Sequence, residues 1–201
     1  MKLDPFYLIV DSADWIERLV PLGVKLVQLR IKQGDISHLR KEIRASKAVC
    51  EAHGCTLVIN DHWRLAIDEG CDFVHLGQED LAEADLPTIR KNALKLGLST
   101  HDPAELENAL RARPDYVALG PIYPTVLKAM KWAPQGLARL ADWKQQVADV
   151  PLVAIGGFTV DRAAGAFAMG AQSVAVVTDV IANAKPERRV AEWLEKTATW
   201  R

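Results

Sequence analysis

The sequence predicts a closed (β/α)8 TIM barrel. Three observations predict it: eight short apolar, β-branched runs, a helical stretch after each, and polar or glycine residues at the ends of several runs. Such alternation reads as repeated βα units on a parallel sheet, and eight units are the number that closes a barrel of this kind. Active sites of these barrels lie at the C-terminal strand ends, so the chemistry is to be sought there. The eight units use up residues 1–201, which reads as a single domain without a spare module.

The strands are expected over Pro5 to Asp11, Leu26 to Ile31, Thr56 to Asp61, Asp72 to Gly77, Lys95 to Thr100, Tyr116 to Pro121, Pro151 to Gly157 and Ser173 to Asp179. Ser12 is placed to cap the first helix, which carries Trp15, Leu19 and Val20, and Ser37 to cap a second through Leu39 and Ile43. Further helices are read over His62 to Glu69, Leu86 to Leu94 and Pro103 to Ala112. In the last of these, Asp102 and Pro103 supply a cap and a first-turn proline. Gly136 to Val147, Asp161 to Met169 and Pro186 to Thr197 complete the series. The longest stretch without periodicity, Pro121 to Gln135, follows the sixth strand on the expected catalytic rim. Long loops inside compact domains are usually functional or disordered, and this one reads as a loop that closes over substrate.

Apolar residues make up 49% of the chain and charged residues 25%, an ordinary globular balance. The net charge of −1 argues against a general nucleic-acid or membrane-surface binder, so any anion site must be a local cluster of cations. Met1 leads directly into the first strand without a signal peptide, and no apolar run approaches a membrane span. Cys50, Cys55 and Cys71 are odd in number, lack CxxC spacing and read as buried reduced thiols. A cytoplasmic location is expected.

In the second strand, alternation puts Gln28, Arg30 and Lys32 on one face and Val27, Leu29 and Ile31 on the other. Helices cover the outside of a barrel, so the polar set faces the mouth. Two cations and an amide converging there make a polyanion site, for which arginine is well suited. The third strand ends in Asn60-Asp61, and the fourth runs on to Asp80. Neighbouring strands lie about 4.8 Å apart, which brings Asp61 and Asp80 within reach of each other. Paired carboxylates with few other ligands suit Mg2+, although a strand-end aspartate is equally often a helix cap. His75 reads as a satisfied core histidine rather than a ligand. Ser99 ends the fifth strand, Thr125 and Lys128 follow the sixth, Gly156 and Gly157 end the seventh, and Val177 and Thr178 the eighth. Barrels commonly bind phosphate after strands seven and eight, where glycine lets the backbone approach closely. Two anion sites across one mouth indicate two phosphorylated small-molecule substrates.

Taken in order, Gln28-Leu29-Arg30-Ile31-Lys32, Ile59-Asn60-Asp61, His75 to Asp80, Ser99-Thr100-His101, Gly120-Pro121 through Thr125 and Lys128, and Ile155-Gly156-Gly157 resemble the thiamine phosphate synthase family over essentially the whole chain. The resemblance implies coupling of 4-amino-2-methyl-5-(diphosphooxymethyl)pyrimidine to 4-methyl-5-(2-phosphooxyethyl)thiazole. It implies that Gln28, Arg30, Lys32, Asn60, Ser99 and Lys128 hold the diphosphate, with Arg30, Lys32 and Lys128 supplying the catalytic charge. Asp61 and Asp80 would bind Mg2+, and Thr125, Gly156, Gly157, Val177 and Thr178 would meet the thiazole phosphate. The family reaction is a dissociative substitution that needs charge neutralisation on the leaving group rather than a protein nucleophile. One departure stands out. The family pattern is threonine, any residue, threonine, lysine; here Leu127 replaces the second threonine, so one hydroxyl donor to the thiazole phosphate is missing. The rivals are a thiazole tautomerase-like paralogue, another phosphate-binding barrel isomerase and a non-catalytic thiazole phosphate binder. The cations and paired carboxylates argue against the tautomerase, and the carboxylate pair is unexplained by the other isomerase; the non-catalytic binder stays open because of Leu127. A homodimer packed through barrel helices is compatible with the sequence.

Overall fold

The computed structural model describes residues 2–125 and 132–201. Eight strands, β1 (Phe6–Val10), β2 (Leu26–Leu29), β3 (Thr56–Asn60), β4 (Phe73–Leu76), β5 (Lys95–Thr100), β6 (Tyr116–Leu119), β7 (Leu152–Ile155) and β8 (Ser173–Val176), form a closed barrel in chain order. Every pairing is parallel, and β8 closes on β1 through Phe6↔Val174 and Leu8↔Val176. The helices among the described residues are α1 (Ala13–Leu19), α2 (Ile36–His53), α3 (Trp63–Asp68), α4 (Gln78–Glu83), α5 (Leu86–Lys91), α6 (Pro103–Arg111), α7 (Gly136–Val147), α8 (Ala163–Ala168), α9 (Thr178–Ile181) and α10 (Pro186–Thr197). None of them is long and apolar enough to cross a membrane.

Strand alternation divides the apolar residues into two cores. Val27, Leu29 and Ile31 belong to the outer one, packed between strands and helices, as their alternation requires. The inner core fills the barrel with Tyr7, Ile9, Leu26, Val58, Phe73, Tyr116 and Val153. Two tyrosines are bulky for this space, and Gly97 makes it: a Cβ there would lie 2.2 Å from the Tyr116 ring.

Several boundaries differ from the sequence reading. β2 ends at Leu29, leaving Arg30 and Lys32 on the loop beyond it, although the Arg30 amide still donates to the Val10 carbonyl (2.8 Å). α2 begins before Ser37, and its cap is Asp35, whose carboxylate accepts from the His38 amide (2.8 Å). A carboxylate both accepts the N–H and complements the helix dipole, so it outcompetes a serine two residues on. Ser12 does sit at the start of α1 but makes no capping bond; the Ala13 amide donates to Glu42 of α2 instead (2.7 Å). Asp102 caps α6 as expected, accepting from the Glu105 amide (2.9 Å). Two short helices, α4 and α9, stand where the sequence reads as strand ends. Gln78, Glu79 and Asp80 therefore lie in the first turn of α4, and Thr178 opens α9.

Candidate active site

The C-terminal strand ends surround a cavity of about 450 Å3. Gln28, Arg30, Lys32, Asn60, Asp61 and Asp80 line one side of it, from the ends of β2, β3 and β4. Ser99 lines it from β5, and Thr125, Gly156, Gly157, Val177 and Thr178 from the arc of β6 to β8. The barrel thus brings every described residue of the predicted site together. Lys128 and Leu127 lie outside the described residues.

On the β2–β4 side, Lys32 forms an ion pair with Asp61. The Asp61 backbone has a φ of 63°, a left-handed conformation that aspartate tolerates better than most residues. Its amide donates to the His75 carbonyl (2.9 Å), which fixes the turn on β4. Asp80 faces it from α4. Burial and then the neighbouring Asp61 carboxylate push the Asp80 carboxyl above the usual carboxylate range, with Lys32 opposing them. Two carboxylates crowded in this way gain from a cation between them, and oxygen donors of this type suit Mg2+. Next to them, the buried Asn60 side chain has no partner for its Nδ2 donor among the described residues. Leaving such a donor unsatisfied costs on the order of 1–3 kcal/mol, which an anionic oxygen in the cavity would offset.

The cavity floor is a hydrogen-bonded chain that the sequence reading missed. Gln28 Nε2 donates to the Tyr7 hydroxyl (2.8 Å), and the Tyr7 and Tyr116 hydroxyls are 2.9 Å apart. Tyr116 in turn lies 2.7 Å from His75 Nδ1, and His75 Nε2 lies 2.8 Å from Ser99 Oγ. The proton order follows from one end. Tyr7 accepts from Gln28, and among the described residues Tyr116 is the partner left for its own proton, so the order that leaves no hydroxyl proton unpaired has Tyr7 donate to Tyr116. Tyr116 then donates to Nδ1, which leaves the proton of a neutral imidazole on Nε2, facing Ser99. The Ser99 hydroxyl accepts that bond and keeps its own proton for a ligand. Burial, with the charges of Arg30 and Lys32 assisting, lowers His75 to about 4 despite the opposing pull of Asp61, which keeps the ring neutral. His75 is thus satisfied on both nitrogens, as expected of a core histidine, yet it also lines the site. The signal for the tyrosines was available: alternation in β1 and β6 points Tyr7 and Tyr116 inward, beside the one strand glycine that could accommodate them.

On the far side, Gly156 and Gly157 have φ of 101° and 67°. A Cβ on Gly157 would lie 2.4 Å from the Pro124 carbonyl, and one on Gly156 2.7 Å from Pro121. These glycines let the loop after β7 pack against the loop after β6, so they shape the pocket wall as well as exposing backbone to it. Arg162 donates to the Gly157 carbonyl (2.6 Å) and holds that turn. Asp179 faces away, accepting from Trp193 (2.8 Å). At the rim, Trp132 stacks on His101 with ring centroids 4.3 Å apart, and His101 is held by Glu105 (2.7 Å). No sequence pattern marked that pair, because stacking across two loops leaves no periodicity.

The chain is similar in sequence and in fold to known proteins. The chain is 68% identical to the thiamine-phosphate synthase of Rhizobium etli over 201 residues, covering 100% of this chain and 98% of that one. It is 45% identical to the thiamine-phosphate synthase of Salmonella typhimurium over 192 residues, or 96% of this chain and 88% of the other. The fold superimposes on thiamine phosphate pyrophosphorylase from Pyrococcus furiosus with a TM-score of 0.86 at 21% identity, covering 98% and 96% of the two chains. Residues 6–180 match the family model described as thiamine monophosphate synthase (TMP-TENI), and the chain belongs to that family.

Proposed function

We propose that the protein couples 4-amino-2-methyl-5-(diphosphooxymethyl)pyrimidine with 4-methyl-5-(2-phosphooxyethyl)thiazole, or its carboxylated form, giving thiamine monophosphate and diphosphate by a Mg2+-assisted dissociative substitution. Family membership and full-length similarity to thiamine-phosphate synthases support the overall transfer. The observation that carries the site assignment is the crowding of Asp61 and Asp80 beside Arg30, Lys32 and the unpartnered Asn60 amide. Asp61 and Asp80 would hold Mg2+, which when bound supplies positive charge to the leaving diphosphate.

The chain's own groups do the rest. Arg30 and Lys32 bind the diphosphate and neutralise charge as it departs, in a preorganised manner that costs no reorganisation at the moment of reaction. Asn60 Nδ2 and the Ser99 hydroxyl donate to its oxygens. Gln28 is held at its Nε2 by Tyr7, so its amide enters the cavity in a fixed orientation. Lys128, on the loop after β6, completes the diphosphate clamp in this reading. Thr125, Gly156, Gly157, Val177 and Thr178 meet the thiazole phosphate across the mouth, which positions the thiazole nitrogen toward the pyrimidine methylene. No protein nucleophile is required, because the amino-pyrimidine ring stabilises the carbocation.

The test is diphosphate release with both substrates, with and without Mg2+. Release that depends on both substrates and the metal is expected. No release with thiazole phosphate still bound would replace this reading with a tautomerase-like or carrier role.

A further inference from the structure

All three cysteines line one cavity of about 170 Å3, together with Thr56, Phe73 and Lys95. Those three residues begin β3, β4 and β5, so the cavity lies at the foot of the barrel, opposite the mouth. The sequence showed only three thiols without metal-ligand spacing.

The end of α2 explains why two of them meet. Gly54 takes φ 58° and ψ 44°. Its amide donates to the Glu51 carbonyl, and the Cys55 amide donates to the Cys50 carbonyl (2.9 Å). This bond pattern is a Schellman motif, in which the side chains at the two ends of the six-residue bond come into contact. Here both are thiols. The Cys50 thiol is the largest influence on Cys55, and together with burial it pushes that thiol far up. Cys71 enters the same cavity from the turn after α3. Its thiol is pushed up to about 11, chiefly by burial and with no sulfur among the causes.

We propose that Cys50 and Cys55 form a dithiol site for a soft, thiophilic metalloid of the trivalent arsenic class, at the end of the barrel away from the substrates. Three observations select that class. The two buried cysteines sit at the two ends of one six-residue backbone bond and line one cavity, so both sulfurs are presented to a single ligand. Among the described residues, no group of three or more His, Cys, Asp or Glu is spaced to hold a metal ion, so a species satisfied by two sulfurs is preferred over one needing four ligands. An arsenical bound by two sulfurs is also neutral and leaves no charge buried at the foot of the barrel. With phenylarsine oxide the step is a condensation. Two S–H bonds and the arsenic–oxygen bond break, two As–S bonds form, and the two protons leave with the oxygen as one water. Arsenic stays trivalent and neither sulfur is oxidised.

The test uses the full-length protein with one equivalent of phenylarsine oxide, followed by intact mass, a count of remaining thiols and tryptic mapping. The expected result is one bound arsenical, the loss of two titratable thiols, and the arsenical on the tryptic peptide 48–64, which contains Cys50 and Cys55 but not Cys71. Cys71→Ser retains the adduct, whereas Cys50→Ser and Cys55→Ser lose it while keeping the barrel's far-ultraviolet spectrum. The wild-type peptide map decides the matter even if a serine variant fails to fold. Absence of the adduct, its location outside peptide 48–64, its loss only in Cys71→Ser, or thiol loss without arsenical mass would each overturn the proposal.

Discussion

His75 gives a pH dependence of stability whose size follows from its surroundings. In the unfolded chain its pKa is the ordinary 6.5; in the barrel it falls to about 4, first because burial disfavours the imidazolium and then because Arg30 and Lys32 repel it. The folded pKa is depressed, so between these values the unfolded state binds more protons than the folded one. Stability from this group is therefore full above about 6.5 and is lost as pH falls toward 4. At about 1.4 kcal/mol per pH unit, the interval amounts to about 3 kcal/mol, a substantial share of a typical 5–15 kcal/mol total. His75→Gln removes the titration while keeping an amide within reach of Ser99. Urea unfolding of both proteins between pH 7 and 4.5 tests it. The wild type should lose stability faster on acidification, and the two curves should converge by about 2–3 kcal/mol. Curves that stay parallel would refute the buried neutral imidazole and, with it, the proton order assigned to the floor.

Asn60→Ala should leave stability within about 1 kcal/mol, because its amide has no partner to lose. The KM for the pyrimidine diphosphate should rise by about 1.5–3 kcal/mol, the value of a bond to a charged acceptor; steady-state kinetics beside thermal unfolding separates the two. Asp80→Ala and Lys128→Ala should each lower kcat on the order of 10²-fold, and near wild-type turnover in both would remove their assigned roles. Leu127→Thr restores a hydroxyl donor to a charged phosphate, worth about 1.5–3 kcal/mol, so thiazole phosphate should bind roughly tenfold or more tighter by calorimetry. Gly97→Ala drives a methyl into the Tyr116 ring, and overpacking of this kind should cost about 1–3 kcal/mol or more, read as a lowered urea midpoint.

The sequence carried the barrel because periodicity is a backbone property: a β2 with polar and apolar residues on alternate sides has one workable orientation inside a ring of helices. It carried the site for a similar reason, since strand order alone decides which strand ends share a rim. Three kinds of feature escaped it. The short helices α4 and α9 each follow their strand after a single residue, with no longer loop to separate the two, so Asp80 and Thr178 read from the sequence as strand ends. Cap choice between Asp35 and Ser37 depends on where the chain leaves β2, which hydrophobicity does not record. The Gln28–Tyr7–Tyr116–His75–Ser99 chain joins five residues from five strands or strand ends, and each alone is an ordinary core residue.

Three unfavourable features share one arc of the rim, although left-handed Ala93, Arg113 and Ala148 and the unpartnered Ser46 and Ser173 hydroxyls lie elsewhere. The left-handed Asp61, the mutual repulsion of Asp61 and Asp80 and the unsatisfied Asn60 donor all lie at the ends of β3 and β4. Strain and unsatisfied groups persist only where the surrounding structure over-determines them, and here the surround is the inner core beneath. Tyr7, Tyr116 and His75 are fully bonded to one another, so their positions are fixed without a ligand, while the rim above them is left unsatisfied without one. A diphosphate bound with its cation, as proposed, would relieve the repulsion between the carboxylates and satisfy Asn60 in one step. Part of its binding energy would then come from relief of local instability, and the same ligand should protect the β3–β4 rim disproportionately. Amide hydrogen exchange with diphosphate and Mg2+ should slow most around residues 60–63 and 77–80, and uniform protection around the barrel would contradict this account.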